Sequence, residues 1–350
     1  MRVLRINPTF SVIVTIVLLM DQGLADTVEY DGWEIIWQDT FSKGLNIDET
    51  WNIETGDSWQ YGFSMWGNNE KQFYTKDSVR VTHDGVLKIT ASYVDDGSLE
   101  NACWDECYQR CVGVGKIPDT EDFSYCMEGC GNTGNRCSNV GKVGIKSGRL
   151  NTKGPVPGPS DEYPVVRIEA RVRMSEMGLG LWPAFWMLPW VSGSRAPGEG
   201  EYGIWPLSGE IDIMESANQF DFVNGSIHFG GSVEDGKNEQ YSVATSLNQS
   251  MAEEYHTFGF QWHRGLMRWY TNDTFYGKVS RSKWWTMADL ENEYAPFDTR
   301  FSLILNLAVG GIYPEYNAGR QISVEELQNT LKEPKSMYID RVTVWGLPKK

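Results

Sequence analysis

Alternating or β-branched stretches recur seven times in this 350-residue chain: SVRVTHDGVLKITASYV (78–94), VVRIEARVRM (165–174), GEIDIM (209–214), NGSIHFG (224–230), YHTFGFQWHRGLMRWYTND (255–273), RFSLILNLAVGG (300–311) and SMYIDRVTVWGL (336–347). A period of two puts successive side chains on opposite faces of a strand, and the Gly, Asn and Asp residues between stretches supply turns. Such a chain is all-β. The expected architecture is a β-jelly-roll sandwich of two antiparallel sheets, whose curvature leaves a concave cleft open to a long polymer. Helical signals are few: SVEELQNTL (323–331) opens on a Ser cap, and WWTMADLENEY (284–294) is a second helix candidate.

Arg2 and Arg5 precede an apolar run from Phe10 to Met20, and small residues follow at Gly23 and Ala25. This predicts a secretory signal peptide over residues 1–25, cut near Ala25–Asp26, and an extracellular protein. The run is too short to span a bilayer, and no later stretch approaches ~18 consecutive apolar residues, so no membrane anchor is expected after cleavage. Residues 26–350 read as a single domain with an insertion, because sandwiches often reach about 250 residues as one unit.

The insertion is marked by cysteine. Cys103, Cys107, Cys111, Cys126, Cys130 and Cys137 all fall at about 100–140, which in a secreted chain predicts a local disulfide framework. The four-residue spacing within each set suits one face of a short helix. Two antiparallel helices would then pair Cys107 with Cys130, Cys111 with Cys126, and Cys103 with Cys137. A zinc site is the rival reading, against which stand the lack of His in the segment and the oxidising compartment.

A net charge of -16 repels phosphate backbones and sulfated polymers, which excludes nucleic acid as the expected partner and favours a neutral one. The 15 Trp, 16 Tyr and 14 Phe suit a groove that stacks on sugar faces, or simply a large core. A monomer is expected. Sequons at Asn224, Asn248 and Asn272 are compatible with glycosylation; Asn224 lies just ahead of an expected strand, where a glycan would have to clear any groove.

The chemistry concentrates in SGEIDIMESAN (208–218). On a strand Glu210 and Asp212 share a face while Ile211 and Ile213 point to the core; regular alternation would then bury Glu215 unpaired, at high cost. A β-bulge at Ile213 or Met214 returns Glu215 to the acids' face. Three carboxylates in a row titrate as a coupled set, and a pair with one ionised and one protonated member is what glycoside hydrolysis requires. Backbones ~13 Å apart with long side chains leaning together bring the two Glu carboxyls to roughly 5–7 Å, nearer the retaining than the inverting gap. A solvated strand edge or a set of calcium ligands would show the same acids.

GEIDIMES resembles the long form of the signature of glycoside hydrolase family 16, in particular its laminarinase-like endo-1,3-β-glucanases. WGNNEKQFYT (66–75), SGRLNTKG (147–154), RIEARVRM (167–174), GLWPAFWMLP (180–189), HFGG (228–231), FSLILNLAVGG (301–311) and YIDRVTVW (338–345) are similar to its other motifs, in order, from about Trp33 to Trp345. Only the cysteine segment falls outside the pattern. The resemblance implies a secreted, retaining endo-hydrolase of neutral β-glucan, with Glu210 as nucleophile, Glu215 as acid/base and Asp212 tuning the nucleophile. It further implies Trp182 and Trp186 as cleft aromatics, Asn69 as a sugar hydroxyl partner, His228 beside the reacting sugar, and Arg167 as a further contact. No cofactor is needed for catalysis. Many members hold a structural calcium through an acid of an early Asp-Glu-Phe stretch and a carbonyl or carboxylate near the C-terminus; here the early stretch is QDTF, with Thr40 in place of the Glu, while Asp340 is present, which puts calcium in doubt. A glucan-binding protein without activity, a hydrolase of mixed 1,3-1,4-β-glucan, and a transglycosylase are the alternatives; the presence of all three acids argues against the first.

Overall fold

The computed structural model describes residues 27–132, 135–192, 197–218 and 222–350. The expected leader and its cleavage point lie outside the described residues. With strands numbered in chain order, a back sheet holds β1 (Glu34–Asp39), β3 (Phe73–Tyr74), β4 (Val79–Val81), β5 (Leu87–Tyr93), β6 (Ile145–Ser147), β8 (Val165–Met174), β13 (His256–His263), β14 (Leu266–Thr271), β15 (Thr274–Ser280) and β17 (Lys335–Leu347). A front sheet runs in the order β12 (Asn238–Ser246), β11 (Phe222–Gly230), β10 (Glu210–Glu215), β9 (Leu181–Pro189), β16 (Phe301–Val309), β7 (Arg149–Thr152) and β2 (Trp51–Glu54). Every pairing within the front sheet is antiparallel, and in the back sheet β3 and β6 run parallel.

The period-two pattern dictates how the sheets stack. On β8, Val166, Ile168, Ala170, Val172 and Met174 face inward; on the front sheet Phe185, Met187, Ile211, Leu303, Leu305 and Leu307 meet them, and all belong to one buried cluster. Burial of this apolar area is the main term holding the sheets together. The outer face of the front sheet is left to polar and aromatic side chains, and it carries the site.

Helices are peripheral. α1 (Ser98–Gly113), α2 (Glu121–Gly131) and α3 (Arg136–Val143) form the insertion, joined by Cys103–Cys137, Cys107–Cys130 and Cys111–Cys126, the pairing expected from the spacing. With all six thiols in bridges, the zinc reading is closed. The cysteines build a second small core with Phe73 and Leu99. α4 (Ile312–Ala318) was not expected from the pattern. α5 (Val324–Thr330) was, and its start is a capping box in which Ser323 Oγ accepts from Glu326 N at 3.2 Å while Ser323 N donates to Glu326 Oε2 at 2.9 Å. Residues 284–294 form no helix. Their polar groups bond elsewhere: Thr286 Oγ1 donates to Leu207 O at 2.7 Å and Met287 N to Gly230 O at 3.0 Å, which ties the segment to neighbouring loops instead.

Candidate active site

β10 carries the three acids, and its pairing is irregular where alternation would have failed. Against β9, Asp212 faces Trp186 but Met214 faces Phe185, so two residues of β10 span one of β9. Against β11, Asp212 faces Ser226 and Glu215 faces Asn224. Ile213 is the extra residue, and both it and Met214 stay in the core at 1% and 0% exposure. The bulge thus restores Glu215 to the face of Glu210 and Asp212. A bulge also frees a carbonyl from its ladder; here Asp212 O accepts from Trp269 Nε1 at 2.8 Å, the indole reaching up from the back sheet.

Cross-strand neighbours share a face, so Glu210 stands beside His228, Asp212 beside Ser226, and Glu215 beside Asn224. Ser226 Oγ donates to Asp212 Oδ2 at 2.7 Å, and His228 Nε2 lies 3.3 Å from Asp212 Oδ2 and 3.8 Å from Glu210 Oε1. Each glutamate accepts from one indole: Trp205 Nε1 to Glu210 Oε2 at 2.7 Å, and Trp182 Nε1 to Glu215 Oε1 at 2.9 Å. Asp212 is 2% exposed, whereas Glu210 and Glu215 keep part of their surface open to solvent.

Burial, with the charge of Asp212 close by, raises both glutamates from the ordinary carboxylate range to about 8. They titrate as a coupled set, so at neutral pH the site does not carry two full charges. Burial opposes a charge on His228, but Glu210 and Asp212 outweigh it and raise the imidazole to about 9. A cation therefore sits next to Glu210 and Asp212.

The two expected cleft tryptophans lie on β9. Four residues apart on a strand also means one face, so Trp182 and Trp186 both stand on the open side of the front sheet. Trp186 Nε1 donates to Asn306 Oδ1 at 2.7 Å, and Asn306 Nδ2 donates to the Tyr74 hydroxyl at 3.1 Å. The Trp182 ring lies 5.3 Å from that of Tyr313 on α4, whose hydroxyl pKa is raised by burial and by Glu215. Trp205, Ser226, Asn306 and Tyr313 escaped the sequence reading. Asn306 had a signal, as the lone strongly polar residue within the buried run LILNLAV; the others had none in their spacing.

Three expected residues fall elsewhere. Asn69 is exposed on the loop before β3, and its Oδ1 accepts from Lys71 Nζ at 2.8 Å; the loop approaches the site through Asn68 O, which accepts from Ile312 N at 2.9 Å, one residue before Tyr313. Arg167 is not at the site. It lies on the outer face of the back sheet, because alternation on β8 sends Val166 and Ile168 inward; its guanidinium is 4.0 Å from the Trp33 ring centroid and donates to Gln261 Oε1 and Glu29 O. Asp340 occupies a bulge of β17 facing Arg171, with Arg341 3.7 Å away. Its Oδ1 is buried without a partner, but two guanidiniums beside one carboxylate do not fit a calcium ligand set. Among the described residues, the groups of three His, Cys, Asp or Glu close enough to share an ion are Cys103–Cys107–Cys137, which is disulfide-bonded, and Glu210–Asp212–His228; Asp340 is in neither. Asn224 is 9% exposed within β11 beside Glu215, so a glycan has no room there.

Comparison with known proteins bears on this arrangement. The sequence profile described as "Glycosyl hydrolases family 16" matches residues 134–324. Glucan endo-1,3-beta-glucosidase A1 of Niallia circulans is 32% identical across 90% of this chain, which spans only 38% of that protein's length. Glucan endo-1,3-beta-glucosidase of Cryptopygus antarcticus is 30% identical, with 81% of this chain and 82% of the relative covered. Among solved structures, the endo-beta-1,3-glucanase from Pyrococcus furiosus superposes with a TM-score of 0.59 at 29% identity, covering 92% of this chain and 98% of the other.

Proposed function

This chain belongs to glycosyl hydrolase family 16, and from that membership together with its carboxylate row we propose that it is a secreted endo-hydrolase of 1,3-β-glucans acting with net retention. The observation that carries the reading is the bulge on β10, which lines up Glu210, Asp212 and Glu215 on an open face with unequal surroundings. Glu210 has an indole N–H and an imidazolium at hand, both favouring its ionised form; Glu215 has one indole N–H. On this reading Glu210, the nearer of the two to the His228 imidazole, is the ionised partner and Glu215 the proton carrier.

In the first step the Glu210 carboxylate attacks the anomeric carbon, and Glu215 gives its proton to the departing glycosidic oxygen. Asp212, fixed by Ser226 and His228, holds negative charge beside Glu210 and keeps that carboxylate oriented. In the second step Glu215, now a base, takes a proton from water; the hydroxide attacks the glycosyl-enzyme on the opposite face and Glu210 leaves. Two inversions give retention. Trp182 and Trp186 present ring faces to the sugars on either side of Asn306 and Glu215. The leader pattern and the three disulfides support a secreted protein.

Glu210→Ala and Glu215→Ala are each expected to cut release of reducing ends from laminarin by at least ~10³-fold while glucan binding persists. Wild-type turnover by either variant defeats the assignment. Proton NMR of the first products is expected to show the β-anomer before mutarotation; an initial α-anomer defeats retention.

A further inference from the structure

The stapled insertion has no part in the chemistry above, yet its buried charges meet the loop between β2 and β3. Arg136 on α3, 8% exposed, donates to Asp57 through Nε at 3.0 Å and Nη2 at 2.7 Å, and through Nη2 to Glu106 on α1 at 2.9 Å. Its Nη1 faces the sulfurs of Cys107 and Cys130 at 3.3 Å. A guanidinium buried against two carboxylates fixes the segments that carry them, because its removal leaves like charges facing each other away from water. Glu106 also packs on Gly56, where a Cβ would come within 2.8 Å of the carboxylate. Trp59 lies beneath both Arg110, at 4.5 Å, and Arg136, at 5.2 Å. The insertion thus grips the start of the loop that joins β2 to β3.

The far part of that loop lines the open face of the front sheet. Tyr61 borders a depression of about 310 Å³ beyond Trp186, together with Asn52, Asn151, Trp190 and Ile304. Trp66 packs 4.3 Å from the guanidinium of Arg149, which lies 4.9 Å from the Trp186 ring. Ser58, Met65, Trp66 and Asn69 hold φ of 73°, 54°, 52° and 59°, a left-handed backbone that residues other than glycine keep only where their surroundings impose it. From β10 to β2 is four strand spacings, about 19 Å, or several sugar units.

Resting on the β-glucanase reading, we infer that the disulfide-stapled insertion positions a remote sugar subsite: Arg136, acting through Asp57, sets the loop so that Tyr61 and Trp186, both backed by the buried Trp66–Arg149 pair, form one surface for glucan units distant from the cleaved bond. Arg136 itself touches no sugar and is a positioning residue.

Arg136→Met keeps the aliphatic stem and removes the charge. Amide hydrogen exchange over residues 55–66, measured without any sugar, is expected to accelerate by about tenfold or more. For 1,3-β-glucose oligomers long enough to reach Tyr61, KM is expected to rise about tenfold with kcat unchanged, and both constants for the shortest cleavable oligomer to stay as in the wild type. Unchanged exchange, or an equal KM rise at every length, overturns the inference. Should Arg136→Met fail to fold, Asp57→Asn, which keeps the shape and loses the charge, gives the same two readings. A wild-type chain that cleaves no 1,3-β-glucan overturns the glucanase reading alone, because the exchange experiment still decides whether the insertion holds the loop.

Discussion

His228 governs how the two glutamates share their proton. Its imidazole, raised to about 9 by Glu210 and Asp212 against the cost of burial, is charged across the neutral range and stabilises the ionised pair. Activity requires the state with one proton on Glu210 and Glu215 together, so kcat/KM plotted against pH is expected to be bell-shaped. The sign of a substitution follows. His228→Asn removes the cation and raises the pair's proton affinity, so the acid limb moves to higher pH and activity near pH 6 falls most. A pH–rate profile measures this directly, and a limb that stays put or moves down contradicts the assigned role. At the same scale, Trp186 depends on one acceptor. Asn306→Leu leaves its indole N–H without Asn306 Oδ1, and is expected to raise KM by about three- to tenfold with little change in kcat.

The bulged β10 is held from below as well as from its edges. Trp269 reaches Asp212 O only because residue 225 on β11 is glycine: a Cβ there would lie 2.2 Å from Trp269 Cδ1. Gly225→Ala is expected to push the indole off that carbonyl, destabilise the fold by about 1–3 kcal/mol and lower kcat more than it raises KM. Urea denaturation and steady-state kinetics on the one variant give both numbers. This dependence was not legible in the sequence, which marks Gly225 only as the middle of a sequon. The bulge was legible, because one unpaired Glu among Ile and Met cannot be buried cheaply. So were the strands that alternate cleanly, the capping box at Ser323 and the cysteine pairing. β9 was harder to see, since LWPAFWMLP carries apolar residues on both faces, and β12, NEQYSVATS, is too polar to show a core side. The helix expected at 284–294 failed for a related reason: local pattern says nothing of Leu207 and Gly230, distant in sequence, which capture its polar groups. Arg167 shows the limit of motif reading, since its stretch matches the family while the strand's own alternation turns the side chain to the outside of the other sheet.

For the whole molecule, a site built this way opposes the fold that supports it. The sheets gain stability from a continuous apolar core, and on the outer face of one of them three acids are gathered where water is partly excluded. Glu210 and Glu215, raised to about 8, bind protons more tightly in the native than in the unfolded chain. Their contribution to stability is therefore complete below the unfolded value near 4.5, and is lost as pH rises through about 8. His228, raised from 6.5 to about 9, acts in the same direction over a higher window. Native stability should accordingly fall from mildly acidic to alkaline pH, with the site contributing to that slope. Glu215→Gln keeps the shape and the contact with Trp182 while removing one titrating group. At pH 8 it is expected to be more stable than the wild type by about 3–4 kcal/mol, seen as a melting midpoint higher by ~4–8 °C, with the gap closing as pH falls toward 4.5. Calorimetric scans of both proteins across that range test it: a variant no more stable at pH 8, or a gap that widens toward acid, would mean that these carboxylates are not held out of their ordinary range by the fold.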